Sequence, residues 1–242
     1  MLMEAQPRKL TVVLVVSFSV LLLLCACATF TGALLLPVLN DASDRSSQNR
    51  LVLQMRQVGL AIDAYHDVHR DFPPLHSIDD KGRPACSWRV LIAPFLHEAD
   101  LARLPDWSQQ WDDPVNRSTK ITVPEEFVSP LVPDPLTTTE THVFALVRPE
   151  GPLRQTGNTG AGNHTGDDSR KELHSVVAVY LPNHTVHWAA PVDITLKRLQ
   201  DEVFNATIES PVALLFVDGS VSLIESSMEP RLLQELIFNP TM

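Results

Sequence analysis

The residues best placed to do chemistry cluster in two parts of the sequence. In "AYHDVHRDFPP", His66 and His69 stand three positions apart, a spacing that puts two imidazoles on adjacent turns of a helix and suits a metal ion if further ligands are near. Nothing in the neighbouring sequence completes such a site convincingly. The same histidines, with Arg70, also complement the free carbonyls and the dipole at a helix end, so capping is the expected role. Downstream, Trp88, Trp107 and Trp111 supply aromatic faces that, with His66, make a candidate ligand pocket; the competing expectation for such residues is core packing. Cys86 is the lone thiol of the region. Asp167 and Asp168 lie in a glycine-rich polar loop where carboxylates can meet calcium, although a solvated loop is the simpler expectation. His97-Glu98 lacks the second histidine of a zinc-protease helix. There is no nucleophile elbow and no phosphate-binding glycine loop. The expectation is a protein that is not an enzyme, with no catalytic residues, no bound metal, no cofactor and no known small-molecule ligand.

The elements that must position these residues begin with a membrane-like segment. From Leu10 to Asn40 no residue is charged, and a helix of that length spans roughly 46 Å, against roughly 30 Å of bilayer hydrocarbon. Arg8 and Lys9 before it favour an N-terminus inside the cell. The expected organisation is a cytoplasmic N-terminus at 1–9, a transmembrane helix at 10–40 kinked at Pro37, and an extracytoplasmic α+β domain at 41–242. Ala26-Cys27-Ala28 also fits a signal-peptide cleavage site, which would instead release the domain. The formal charge is −10, all of it and more beyond residue 9, so nucleic acid is not an expected partner.

Leu51, Met55, Val58, Ile62 and Tyr65 alternate steps of four and three, marking the buried face of a helix, with Leu60, Ala61, Ala64 and Val68 read as widening it. Pro73 and Pro74 end the helix. Pro94 divides 87–104 into two short helices, and Asp113 before Pro114 starts another. "VFALV", "VVAVY" and "VALLF" read as strands, and Asp218-Gly219 before "SVSLI" reads as a hairpin turn. "MEPRLLQELIF" reads as a C-terminal helix.

Several ordered segments carry a family resemblance: "ALLLPV", "MRQVGLAIDAYHDVHRDFPP", "SWRVLIAPFLHEADL", "WDDPVNRSTKI", "VHWAAPVDI" and "ALLFVDGSVSLI". Together they resemble a bacterial pseudopilin-like family, domain of unknown function 1559. The resemblance implies a long helix packed on a small antiparallel sheet, as in pilins, and a structural or interaction role in a secretion or surface assembly, with like proteins as partners. The chain departs from the family at two points. The prepilin cleavage motif and its glutamate are absent, with Val20 where the glutamate would stand. Ile208 occupies the position of a histidine in the closing signature. The resulting expectation is a single-pass protein of the cell membrane, structural rather than catalytic. The alternative is a cleaved extracytoplasmic binding protein.

Overall fold

The computed structural model describes residues 6–96, 106, 108–118, 123–130, 139–148, 151–154, 175–205 and 211–224. Two compact units divide it, 1–47 and 48–242. The helix α1, Gln6–His69, contributes to both.

The transmembrane expectation is corrected: among the described residues no helix is long and apolar enough to cross a membrane. Ser17 and Ser19 interrupt the apolar sequence in this part of α1. Ser19 Oγ donates to the Val15 carbonyl at 2.8 Å, which satisfies the hydroxyl within the helix. The helix continues through Pro37 as one element, Gln6–His69.

After α1 come β1 (His76–Ile78), β2 (Pro84–Ser87), α2 (Trp88–Ile92), a 3-10 turn at Ala93–Phe95 and α3 (Pro114–Ser118). They are followed by a second 3-10 turn at Glu125–Phe127, β3 (Glu140–Thr141), β4 (Val143–Val147), β5 (Val176–Tyr180) and β6 (Val186–His187). The series closes with β7 (Ile194–Thr195), α4 (Leu196–Asn205), β8 (Val212–Phe216) and β9 (Val221–Ile224). The second helix expected after Pro94 and the C-terminal helix lie outside the described residues, as do Asp167 and Asp168.

The main sheet has five strands in the order β7-β4-β5-β8-β9. This is the second correction to the expected fold. The sheet is mixed, because β7 pairs parallel with β4 through Leu146–Ile194 and Val147–Thr195 while the other neighbours are antiparallel. The three central strands read as continuous apolar runs because both faces of the sheet are covered. On one face Val143, Ala145, Tyr180, Ala213 and Leu215 join Leu51, Met55, Val58 and Ile62 of α1. On the other, Phe144, Leu146, Val179, Leu214 and Phe216 pack with Leu199 of α4. Period-two alternation sends successive side chains to opposite cores.

The α1 seam is fully buried at Leu51, Met55, Val58 and Ile62, and Tyr65 is half-buried. Leu60 and Val68 do not widen it. They lie 60% and 66% exposed, because at 100° per residue Leu60 projects almost opposite to Leu51. Gly59 lets α1 approach the sheet closely: a Cβ there would stand 3.2 Å from Leu215 Cδ1 and 3.6 Å from Gly219 Cα. Gly219 itself has φ +76° in the β8–β9 turn. Asp218 Oδ1 accepts from Ser220 N at 2.9 Å and from Ser220 Oγ, holding that turn.

α1 ends where Arg70 takes φ 60° and its N–H bonds the His66 carbonyl at 2.7 Å. That is a left-handed C-terminal cap occupied by a residue with a Cβ. The last-turn histidines pack on aromatic rings. His69 stacks on Tyr65 with ring centroids 4.1 Å apart, and His66 meets Phe72 at 4.9 Å.

Candidate functional site

Among the described residues no ring contact joins His66, Trp88 and Trp111 of the expected pocket. Trp88 is fully buried, edge-on to Phe127 at 6.0 Å. Trp111 is half-buried and packs on His187 with centroids 4.7 Å apart, its backbone N–H donating to the Ala85 carbonyl at 3.0 Å. His66 stays with Phe72 at the end of α1, and Trp107 lies outside the described residues.

What the fold assembles instead is a buried polar centre around Asp193. Ser87 caps α2, and the two residues that follow send their side chains inward. Trp88 Nε1 donates to Asp193 Oδ1 at 3.1 Å, Arg89 Nη2 donates to the same oxygen at 2.8 Å, and the Ala145 amide of β4 donates at 2.8 Å. Arg89 is wholly buried. Its Nε donates to the Val143 carbonyl at 2.6 Å, Nη1 to Ser87 Oγ at 2.5 Å, and Nη2 also reaches the Val192 carbonyl at 3.3 Å. Burial lowers the Arg89 pKa, and the Asp193 carboxylate works against that shift. The guanidinium also lies 5.2 Å from the Trp88 ring centre and 5.7 Å from that of Phe144. A buried ion pair is tolerated when its lone pairs and protons find partners, and here Asp193 Oδ1 accepts three hydrogen bonds while every guanidinium nitrogen donates. Chemically the centre is a latch. It joins α2, β4 and the loop before β7.

The neighbouring thiol is enclosed as well. Cys86 is buried, with its pKa pushed up to about 12 by burial first and by Asp106 second.

A less buried group of titratable side chains lies on the two-stranded β3–β6 ribbon. Glu140 stands opposite His187 in register. His142, two residues on, approaches the Leu181 carbonyl through Nδ1 at 3.2 Å and packs on Tyr180 at 5.7 Å. Tyr180 and Ser129 share a buried hydroxyl–hydroxyl bond of 2.7 Å. Burial lowers the pKa of both His142 and His187, and Glu140 pulls each back up. With Trp111 against His187, this patch offers one acid, two imidazoles and an aromatic face. Among the described residues no group of three or more His, Cys, Asp or Glu side chains is arranged to hold a metal ion. Sequence periodicity does not reveal the ribbon, because each of its strands is two residues long.

The fold and its latch define a mixed α/β module with a buried polar centre. Residues 48–193, more than half of the chain and starting where the second compact unit starts, match the family model SBP_bac_10, described as a protein of unknown function (DUF1559). The chain belongs to that family. Neither a curated protein nor a solved structure matches it. Three of the segments that carry the resemblance have structural partners. "SWRVL" supplies Ser87, Trp88 and Arg89, "VHWAAPVDI" supplies Trp188 and Asp193, and the Asp218-Gly219 turn lies against Gly59 of α1.

Proposed function

We propose that this chain is a non-enzymatic structural or interaction protein of the bacterial cell envelope, as its pseudopilin-like resemblance implies. The observation that carries the reading is the exposure of α1: Leu14, Val15, Val16, Phe18, Leu21 and Leu22 are each between 55% and 63% exposed. An apolar helical surface of that extent needs other apolar matter to cover it. The latch supports the same reading, because two of the segments that carry the resemblance, "SWRVL" and "VHWAAPVDI", supply its residues. Site-specific photo-crosslinking from positions 15 and 18 in cells tests it. Covalent adducts with other protein chains are expected; a chain that crosslinks to none, at either position, sinks the proposal.

A second reading, an extracytoplasmic binding protein, is favoured by the half-buried Trp111–His187 pair beside Glu140. Ligand screening followed by Trp111 fluorescence separates the two. A saturable change lost in Trp111→Phe supports binding there, and no response to any ligand class counts against it.

A further inference from the structure

The outer face of α1 in the second compact unit is not polar throughout. Leu53 and Leu60 line up seven residues apart, 58% and 60% exposed, and Val68, 66% exposed, lies to one side of their row. Arg56, Asp63 and Asp67 flank its other side, all exposed. Among the described residues the ion pairs are Arg50–Glu125, Arg83–Asp79 and Arg89–Asp193, so Arg56, Asp63 and Asp67 enter none. Two acids one turn apart repel each other. Burial, then Asp67, raise the pKa of the Asp63 carboxyl, with His66 opposing them.

The spacing of these charges is self-complementary about Leu60. Arg56 lies four residues before it, about 6 Å along the axis, and Asp63 lies three after it, about 4.5 Å. At 100° per residue both fall on the same side of the Leu53–Leu60 row, about 40° and about 60° round the helix. A two-fold axis beside Leu60 that relates two antiparallel helices brings together residues at equal distances before and after it, on the same side. Arg56 of each copy then stands beside Asp63 of the other, with Asp67 on its far flank. Leu60 meets Leu60, and Leu53 meets Val68. A parallel two-fold would instead set Arg56 beside Gln57 and Asp63 beside Ala64, so neither charge would gain an opposite partner.

We propose that this face of α1 is an isologous contact between two copies of the chain, antiparallel and centred on Leu60. The inference rests on the reading of the protein as an interaction module and names one of its partners. Two-fold dimers repeat every contact, so one attractive charge pair is made twice. A single helix–helix contact falls short of the ~1,200–2,000 Å² of stable interfaces, so the dimer is weak, with dissociation in the micromolar range or above.

The test uses the full chain in mild detergent, with sedimentation equilibrium across a concentration series. Arg56→Asp and Asp63→Arg alone are each expected to weaken dimerisation about tenfold or more, and the double exchange to recover most of it. In a chain with Cys25 and Cys27 changed to Ser, Leu60→Cys is expected to give a disulfide-linked dimer under mild oxidation, and Gln57→Cys markedly less. Arg56, Gln57, Leu60 and Asp63 are on the surface of α1, so circular dichroism should show the fold unchanged. Self-association that ignores the charge exchange overturns this interface and leaves the interaction reading standing. A chain that stays monomeric throughout overturns this interface, and if photo-crosslinking in cells is also empty the functional reading falls with it.

Discussion

Arg89 Nη2 and Asp193 Oδ1 are 2.8 Å apart across 104 residues of sequence, both side chains almost sealed from solvent. Their pairing joins α2 to the segment that enters β7, and through the Ala145 amide it fixes β4 as well. Because the pair is buried, its two halves cannot be removed independently.

Asp193→Ala leaves the Arg89 guanidinium buried without its counter-charge and is expected to cost about 3–5 kcal/mol. Replacing both partners with apolar residues, Arg89→Met with Asp193→Leu, removes the uncompensated charge and is expected to cost less than the single change, although the Trp88 and Ala145 N–H groups still lose their acceptor. Urea unfolding of the three proteins reads this directly; equal losses in single and double variants would refute the latch.

Two core tryptophans should respond unequally to loss of the indole N–H. Trp88 Nε1 donates to a carboxylate, so Trp88→Phe is expected to lose roughly 1.5–3 kcal/mol beyond the shared loss of packing volume. Trp188 Nε1 is buried with no hydrogen-bond partner among the described residues, so Trp188→Phe loses packing volume but no hydrogen bond and is expected to cost less. Denaturant midpoints that rank the two the other way would contradict the assignment.

The two left-handed positions make a matched pair of tests. Arg70 holds φ 60° at the end of α1, so Arg70→Gly is expected to stabilise by about 1 kcal/mol. Gly219 holds φ +76° with open space where a Cβ would stand, so Gly219→Ala carries a purely conformational cost of about 1–2 kcal/mol. Asn at 219 should cost less than Ala, because asparagine tolerates this region. Thermal melts of the three variants check the signs.

Acid should destabilise the domain through the β3–β6 ribbon. Burial depresses the pKa of His142 and His187 below the ordinary 6.5, so the unfolded chain binds protons that the folded chain resists. Stability is therefore full above about pH 6.5 and falls as the pH drops through the lower, folded-state values. The double variant His142→Asn with His187→Asn should flatten that part of the stability–pH curve. A slope unchanged in the double variant would assign it to other groups.

Cys86 should resist alkylation in the folded protein at about pH 8, since its pKa lies at about 12 and its side chain is enclosed. Exposed Cys25 should react under the same conditions. Peptide mapping after iodoacetamide, with and without urea, distinguishes the two; rapid labelling of Cys86 without urea would show an open site.

Local chemistry alone determined a good part of this molecule. The apolar runs that became β4, β5 and β8, the Asp218-Gly219 turn, the cap at Asp113 and the Leu51–Ile62 seam all follow from short-range rules of side-chain period and backbone freedom. Tertiary structure decided the rest. Two-residue strands such as β7 carry no periodic signal, so its parallel pairing with β4 could not be read from the sequence. The apolar type of Leu60 did not reveal which side of α1 the sheet would take; Gly59 and the seam settled that by close packing on Leu215. Trp88 and Trp111 were each visible as aromatic anchors, yet their separation into core and ribbon depends on neighbours far away in the chain. Arg89 shows the reason most clearly. A charged residue is expected at the surface, and only a carboxylate arriving from 104 positions away makes its burial tolerable.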